Sequence, residues 1–342
     1  MLVGIIANPV SARDIRRVIA NATSLQVSDR ANIVMRVLAS LRACGVERVL
    51  MMPENGGIRS LLNRGLEREK NLGGNRFPKL EVTNTLVSGT VEDTFAAAQA
   101  MKDSGVQAIV VLGGDGTHRA VIKQCGQVPI AGISTGTNNA FPEHREPTIT
   151  GLAVGLAASG RIPEEVAFAP NKLLQVSINQ GERSDIALVD VAIAAERYVG
   201  ARALWRTENF REVFVTFSDP EVIGMSAISG LLHPVARNES GGVRVLLGDP
   251  EQAPHPLQVP IAPGLIRKVG VESWEQLEPG VPVTIRERAG TIALDGEREL
   301  EFGPQDVVQI TLLEGAFRTV DVSACMRYTG KNRLLIGDTL DL

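Results

Sequence analysis

The chain is poor in several features that would narrow its chemistry at once. Three cysteines, Cys44, Cys125 and Cys325, are scattered over 342 residues without a CxxC pair. So sparse and odd a count excludes a disulfide framework and implies reduced thiols in a cytoplasmic protein. The four histidines, His118, His144, His233 and His255, show no HExxH-type spacing, so no metal site is expected. Aromatic residues make up only 4%, too few for a base-stacking platform, and the net charge of -4 offers no general attraction to nucleic acid. No segment approaches 18 uninterrupted apolar residues, so no membrane span is expected. The opening MLVGIIANP has no basic leader before a long apolar run, and reads as a first strand rather than a signal peptide. Neither GxxxxGK[ST] nor GxGxxG occurs in its required context.

What is present is an ordinary globular composition, 44% hydrophobic, in a length that suits two domains of moderate size. The first part alternates short apolar runs with helical spacing. Strands are predicted at residues 2–7, 46–52, 80–87, 106–112 and 129–133, with helices over 28–44, 58–66, 90–101 and 148–159. That alternation indicates βαβ units and a parallel sheet. After about residue 160 helical periodicity becomes rare. Strands are predicted at 173–178, 186–194, 243–247, 257–261, 281–285, 291–294 and 307–312, closely punctuated by Gly and Pro, which is the pattern of an all-β sandwich. The boundary between the two patterns falls near 145–160.

Two corners carry the chemistry. In VVLGGDGTHRAV, Val110 to Val121, an apolar strand ends on Gly113-Gly114-Asp115-Gly116-Thr117 just before a helix. Strand ends facing helix starts are where open α/β sheets bind ligands. Glycines let the backbone approach a bulky anion, and exposed N–H groups at a helix start hold phosphate oxygens. A carboxylate beside phosphates is repelled unless it has a task. Asp115 fits two tasks, helping to hold Mg²⁺ or taking a proton from an attacking hydroxyl. The plain alternative is a capped βα turn. The second corner, STGTNNAFP from Ser134 to Pro142, again follows a strand. One βαβ span apart, the two would meet at one sheet edge. Donors at Gly136, Thr137, Asn138 and Asn139 would then converge with the first corner on one polyphosphate.

GGDGT followed by a Gly-Thr-Asn loop resembles the superfamily that joins NAD kinases, diacylglycerol kinases and sphingosine kinases. NPVSARDIRR (8–17) and STGTNNAFPEHREPTITGLAVGLAASG (134–160) more closely resemble its acetoin-catabolism protein X group. The resemblance implies an NAD-kinase-like fold, α/β plus all-β. An N-terminal nucleotide-binding domain is expected over 1–145 and a C-terminal β-sandwich acceptor domain over 146–320. Residues 321–342 are expected to return to the first domain. It also implies transfer of the γ-phosphoryl group of ATP, with Mg²⁺, to a hydroxyl of a soluble small-molecule acceptor, NAD or another nucleotide among the candidates. A homo-oligomer is expected. The acetoin link rests on the resemblance alone.

Carried onto this chain, the resemblance makes Asp115 the catalytic base or acid. It makes Asn8, Gly113, Gly114, Gly116, Thr117, Gly136, Thr137, Asn138 and Asn139 the nucleotide-binding set. Asp190, Ser226 (in GMSAISG, 224–230), Asp295 and Glu297 (in LDGERELEF, 294–302) become acceptor-binding candidates. Asp-Gly is equally a favoured hairpin turn. Two departures stand out. NAD kinases carry an Asn-Glu pair for the adenine part of NAD, whereas IALVDVAIA here puts Val189 before Asp190, and valine neither donates nor accepts. AFPEHREP replaces the Gly-Thr-Leu-Gly-Phe continuation of bacterial NAD kinases. Two rivals follow. The Asp-Gly-Glu segment favours a lipid kinase, against which stands the lack of a membrane-docking stretch. Val189 favours a nucleotide-binding regulator.

The remaining polar residues divide between function and packing. His118, next to Thr117, reads as a surface residue at a helix start, with contact to a phosphate as the alternative. Glu143, Arg145 and Glu146 read as a solvated face, with Arg145 an alternative phosphate clamp. In the segment after Asn8, Arg13 is favoured as a phosphate ligand over Ser11, Arg16 and Arg17. Trp205 and Trp274 read as packing residues. Asp115→Asn is expected to leave the fold intact and to lower turnover by about 10²–10⁴-fold.

Overall fold

The computed structural model describes residues 1–9, 25–135, 139–196 and 208–336. In chain order the elements are β1 (Leu2–Ala7), α1 (Val27–Ala43), β2 (Arg48–Met51), α2 (Ile58–Asn71), β3 (Lys79–Val82), α3 (Glu92–Asp103), β4 (Ile109–Gly113), α4 (Asp115–Cys125), β5 (Ile130–Ser134), α5 (Pro147–Ala158) and α6 (Glu164–Ala167). Then come β6 (Phe168–Ile178), β7 (Arg183–Ala187), β8 (Asp190–Ala194), β9 (Phe210–Val215), α7 (Ser226–Gly230), β10 (Gly242–Gly248), β11 (His255–Ala262), β12 (Leu265–Leu277), β13 (Val283–Thr284), β14 (Gly290–Leu294), β15 (Glu297–Phe302), β16 (Val308–Val320) and α8 (Val322–Lys331). The protein is a mixed α/β structure with two sheets.

The first sheet runs β3-β2-β1-β4-β5-β16-β6-β7, with β13 paired to β16. Its first five strands are parallel. Strands β1, β2, β4 and β5 read as near-continuous apolar runs because helices cover both faces, whereas the edge strand β3 (KLEV) is partly exposed. On one face α1 turns Val34, Val37, Leu38 and Leu41 inward, all fully buried, into a core with Val3, Ile5 and Val110. Each such side chain contributes about 1.5–3 kcal/mol by leaving water. The other face packs Ile6, Ile109 and Val111 against Ala97, Ala98 and Met101 of α3 and Val121 of α4.

β16 lies parallel to β5 through Thr319 and Ile130, and antiparallel to β6 along most of its length. One hydrogen-bonded sheet thus crosses the expected boundary near 145–160. Val322 and Cys325 of α8 enter the same core as Val3. The second sheet, β11-β12-β10-β9-β8-β14-β15, is antiparallel. Val191, Ile193 and Phe214 from it pack against Leu174, Val176, Ile310 and Leu312 of the first sheet. Its other side packs on α7 through Ala227 and Ile228.

Several elements differ from expectation. The single strand predicted at 186–194 is two strands in different sheets, β7 and β8, because the chain changes sheets at Leu188-Val189. Strand β9 and the charge-rich β12 were not anticipated, β15 follows the hairpin alternative at Asp295-Gly296, and α2 is longer than predicted. The three cysteines are free and buried, and burial pushes their thiols up to about 11 for Cys44 and Cys125 and about 12 for Cys325. They are packing groups rather than nucleophiles. Among the described residues no helix is long and apolar enough to cross a membrane.

Candidate active site

Strand order β3-β2-β1-β4-β5 places the topological switch between β1 and β4, so a crevice opens at their carboxyl ends. Ala7 pairs with Leu112 and Gly113 pairs with Ser134. Asn8, Gly113 and Ser134 therefore stand in one row at that edge. The Asn8 carbonyl accepts a hydrogen bond from the buried Arg30 guanidinium. The Thr135 N–H donates to the Gly113 carbonyl at 3.2 Å. Its buried hydroxyl has no hydrogen-bond partner among the described residues. Asn139 donates through Nδ2 to Ser134 Oγ at 2.8 Å, closing the second corner on its own strand.

The glycines of the first corner are not there for a left-handed turn, since none of Gly113, Gly114 and Gly116 has positive φ. Gly113 is needed for another reason: a Cβ there would stand 2.4 Å from Thr117 Cβ. Gly114, extended at φ -95° and ψ -173°, leads into α4. Asp115 is the first residue of that helix and 8% exposed. Its Oδ1 accepts from the Phe141 N–H at 3.0 Å and its Oδ2 from the Ala140 N–H at 3.1 Å. The two corners do meet, through this carboxylate.

The same dipeptide is gripped from the other side. Arg237, from the segment between α7 and β10, donates through Nη1 to the Phe141 carbonyl at 2.9 Å and through Nη2 to the Ala140 carbonyl. Its guanidinium stacks on Phe217 at 4.2 Å. Desolvation lowers its pKa against the pull of Glu143 and Asp115. Lys172 of β6 steadies the supporting segment by donating to the Glu239 and Gly241 carbonyls at 2.7 and 2.8 Å.

His118 corrects its surface assignment. It is fully buried, packs on Phe141 at 5.6 Å and shares a hydrogen bond of 2.9 Å between Nδ1 and the Gly114 carbonyl. Placed one turn into α4, its ring faces β5 rather than water. Burial pushes it down to about 4, so it is neutral near pH 7, with Nδ1 carrying the proton.

The acceptor-side candidates come from the second half. Asp295 and Gly296 join β14 to β15 with φ of 52° and 81°, the left-handed pair of a type I′ hairpin turn. The Asp295 side chain is not solvated, as in a plain turn, but buried. Its Oδ1 accepts from the Leu188 and Val189 N–H groups at 2.9 and 2.8 Å, where the chain leaves one sheet for the other. Burial raises its pKa, opposed by Arg119, whose Nη1 lies 3.9 Å from Oδ2. Arg119 donates to the Leu294 carbonyl at 3.0 Å and to Glu299 at 2.9 Å, so α4 is bolted to the hairpin. The result is one cleft lined by Asp115, Ala140, Asp190, Ile223, Gly224, Met225, Ser226, Ile261, Asp295 and Gly296.

Comparison with known proteins decides the family. A curated relative from Cupriavidus necator, named acetoin catabolism protein X, is 56% identical over 98% of this chain and 94% of its own length. The chain belongs to the acetoin catabolism protein X family, within the NAD-kinase-like superfamily. The acetoin catabolism protein X C-terminal domain family matches residues 172–315, and the ATP-NAD kinase N-terminal domain family matches residues 3–162. More distant relatives named NAD kinase come from Methanosarcina acetivorans, 24% identical over 76% of this chain and 90% of theirs, and Methanosarcina barkeri, 26% over 69% and 81%.

In this member of the acetoin catabolism protein X family the cleft brings together Asp115, Asp190, Ser226 and Asp295. Glu297 opens β15 and does not line the cleft. Gly116 is exposed and Thr117 half-buried at the α4 start. Gly136, Thr137 and Asn138 lie outside the described residues, as do Ser11, Arg13, Arg16, Arg17 and Trp205. Arg145 is not free for a phosphate: it pairs with Glu143 and donates to Ser323 Oγ at 2.9 Å, tying the second loop to α8. Glu146 is exposed, as on a solvated face, and there it also caps α5 by accepting from the Ile149 N–H at 3.1 Å. Trp274 is 38% exposed and meets His255 edge-on, so it is a surface residue more than a packing one. Sequence reasoning passed over Arg119 and Arg237. Arg119 was findable, because it stands four residues after Asp115 and so shares its helix face. Arg237 had no local signal, since its partners are 96 and 97 residues away.

Proposed function

We propose that the protein is an ATP-dependent phosphotransferase that passes the γ-phosphoryl group to a hydroxyl of a soluble metabolite held in the cleft. The observation that carries this reading is that Asp115, at the nucleotide corner, shares one cleft with Asp190, Ser226 and Asp295 from the second half. The family names and the relatives named NAD kinase support a kinase-type reaction. The packing of the two sheets through Phe214 and Leu174 supports reading the second half as a sandwich-like acceptor domain.

The residues at the switch crevice fit a triphosphate. The α4 start offers the positive end of a helix dipole, and the buried Thr135 hydroxyl lacks a hydrogen-bond partner among the described residues. Among the described residues no group of three His, Cys, Asp or Glu side chains is placed to cage a metal, so Mg²⁺ would be held chiefly by the phosphates. Bound together, ATP would supply the phosphoryl group and Mg²⁺ would neutralise its charge. Asn8, Gly114, Thr117, Thr135 and Asn139 would hold the nucleotide side. Asp115, fixed by the Ala140 and Phe141 N–H groups, would orient the acceptor hydroxyl and take its proton. Asp190 and Ser226 would position the rest of the acceptor. Catalysis then rests on alignment and charge neutralisation.

ADP release from ATP and Mg²⁺ over a panel of soluble acceptors, NAD and added lipid tests the reading. Dependence on a soluble acceptor supports it, and dependence on lipid replaces it with a lipid kinase. One observation favours a regulator instead: both Asp115 carboxylate oxygens already serve the second loop. ATP binding without turnover on any acceptor would establish that role.

A further inference from the structure

One peptide group in the second corner lies between two opposite charges. The Ala140 carbonyl and the Phe141 N–H belong to the same peptide unit. Arg237 donates through Nη2 to that carbonyl, and Asp115 Oδ1 accepts from that N–H at 3.0 Å. A cation on the oxygen and an anion on the hydrogen pull the unit's electrons the same way, so each hydrogen bond strengthens the other. Two outer bonds close the arrangement. Arg237 Nη1 donates to the Phe141 carbonyl at 2.9 Å, and the Ala140 N–H donates to Asp115 Oδ2 at 3.1 Å.

The guanidinium also feels the carboxylate through space. Burial lowers the Arg237 pKa, while Glu143, Asp115 and Asp219 pull it up. The neighbouring arginines have other partners: Arg119 meets the Leu294 carbonyl, Glu299 and Asp295, and Arg145 meets Glu143 and Ser323. The segment that carries Arg237 is itself anchored. It runs from α7, whose Ser226 lines the cleft, to β10. Val235 pairs with Ser218, Phe217 stacks under the guanidinium at 4.2 Å, and Lys172 holds the Glu239 and Gly241 carbonyls.

We infer that Arg237 is a positioning residue for Asp115, acting through the peptide group between Ala140 and Phe141. The second half of the chain thereby fixes where the carboxylate of the first half can reach. The catalytic consequence rests on the phosphotransferase reading, whereas the coupling of the two side chains is measurable without turnover.

The test is a double-mutant cycle of Asp115→Asn and Arg237→Gln in the full chain. In chemical denaturation, the shift in the unfolding equilibrium of the double variant should fall short of the product of the two single shifts by about fivefold or more. With phenylalanine labelled by nitrogen-15, the Phe141 amide proton should move upfield in each single variant. Arg237→Lys, which keeps a cation and one hydrogen bond, should return part of that movement. Arg244→Gln breaks a buried pair with Glu212 elsewhere in the second sheet, so it should destabilise the protein and leave the Phe141 signal in place. On an acceptor that the parent turns over, Arg237→Gln should lower kcat by about 10–100-fold. Its KM for ATP should stay within about twofold, because no ATP contact is lost. Should Arg237→Gln fail to fold, Arg237→Lys takes its place in the cycle. Shifts that simply multiply, a Phe141 signal that moves no more than in Arg244→Gln, or an unchanged kcat each overturn the inference. Absence of ADP release by the parent on any acceptor would instead remove the phosphotransferase reading, with the cycle and the Phe141 signal still deciding the coupling.

Discussion

Replacing Arg237 by glutamine tests the grip on the Ala140-Phe141 dipeptide. The guanidinium donates to both carbonyls while Asp115 accepts from both N–H groups, so four backbone groups are satisfied by two side chains. Ala140 and Phe141 are 9% and 6% exposed, so water cannot easily replace a lost donor. A buried acceptor left unmatched costs about 1–3 kcal/mol. The stacking on Phe217 adds about 0.5–2 kcal/mol. Glutamine recovers one hydrogen bond, and the desolvation cost of the buried cation is returned. A net loss of about 2–3 kcal/mol follows. With an unfolding entropy of about 2.1 cal/mol/K per residue over 342 residues, that corresponds to a fall in Tm of about 3–4 °C. Calorimetry should read that shift. Hydrogen exchange should show the Ala140 and Phe141 amides opening roughly 30- to 150-fold more often, the same about 2–3 kcal/mol read locally. An unchanged Tm together with unchanged protection of those two amides would refute the clamp.

Other expectations follow from the same geometry. Asp115→Asn turns an amide NH₂ toward a backbone N–H, so beyond the roughly 10²–10⁴-fold loss of turnover it should lower stability by about 1–3 kcal/mol, read by chemical denaturation. His118, held down near 4 against an unfolded value of about 6.5, stays neutral while the unfolded chain takes up a proton. Stability should therefore fall by up to roughly 3 kcal/mol as the pH drops from about 6.5 to about 4, and His118→Asn should flatten that part of a pH series of denaturation curves. Asp295 titrates the other way: with its folded pKa raised above about 3.9, stability falls as the pH climbs through the interval between the two values. Asp295→Asn keeps an acceptor for Leu188 and Val189 and suits the left-handed turn, so it should be at least as stable as the parent at neutral pH. A loss above about 2 kcal/mol at every pH would show that Arg119 depends on the charge.

The parallel half of the fold was legible because its strands are buried on both faces and its helices show clear apolar spacing. GGDGT and the Ser134 loop were legible because a strand run ends abruptly in small residues. The second half was harder for definite reasons. The stretch from Ile186 to Ala194 is apolar except for Asp190, and nothing local reveals that the chain changes sheets at Leu188-Val189. That change depends on a carboxylate more than 100 residues later. Strand β12 is exposed in runs, at Ile266–Lys268 and Glu272–Gln276, so it lacks the two-residue alternation that would mark it as a strand. His118 looked like a surface residue because polarity suggests water, whereas its ring is enclosed by Phe141 and the Gly114 carbonyl.

Strand β16 carries a consequence for how such a protein can be divided. It sits between β5 and β6 and hands the chain on to Val322 and Cys325, which complete the core begun by Val3. A gene fragment ending near residue 145 would leave β5 a bare, adhesive margin and a gap where the last helix belongs. The two halves are therefore not interchangeable cassettes. Recombination that swaps one without the final 35 or so residues of the other should yield insoluble product, whereas co-expressed complementary pieces should reassemble through β16.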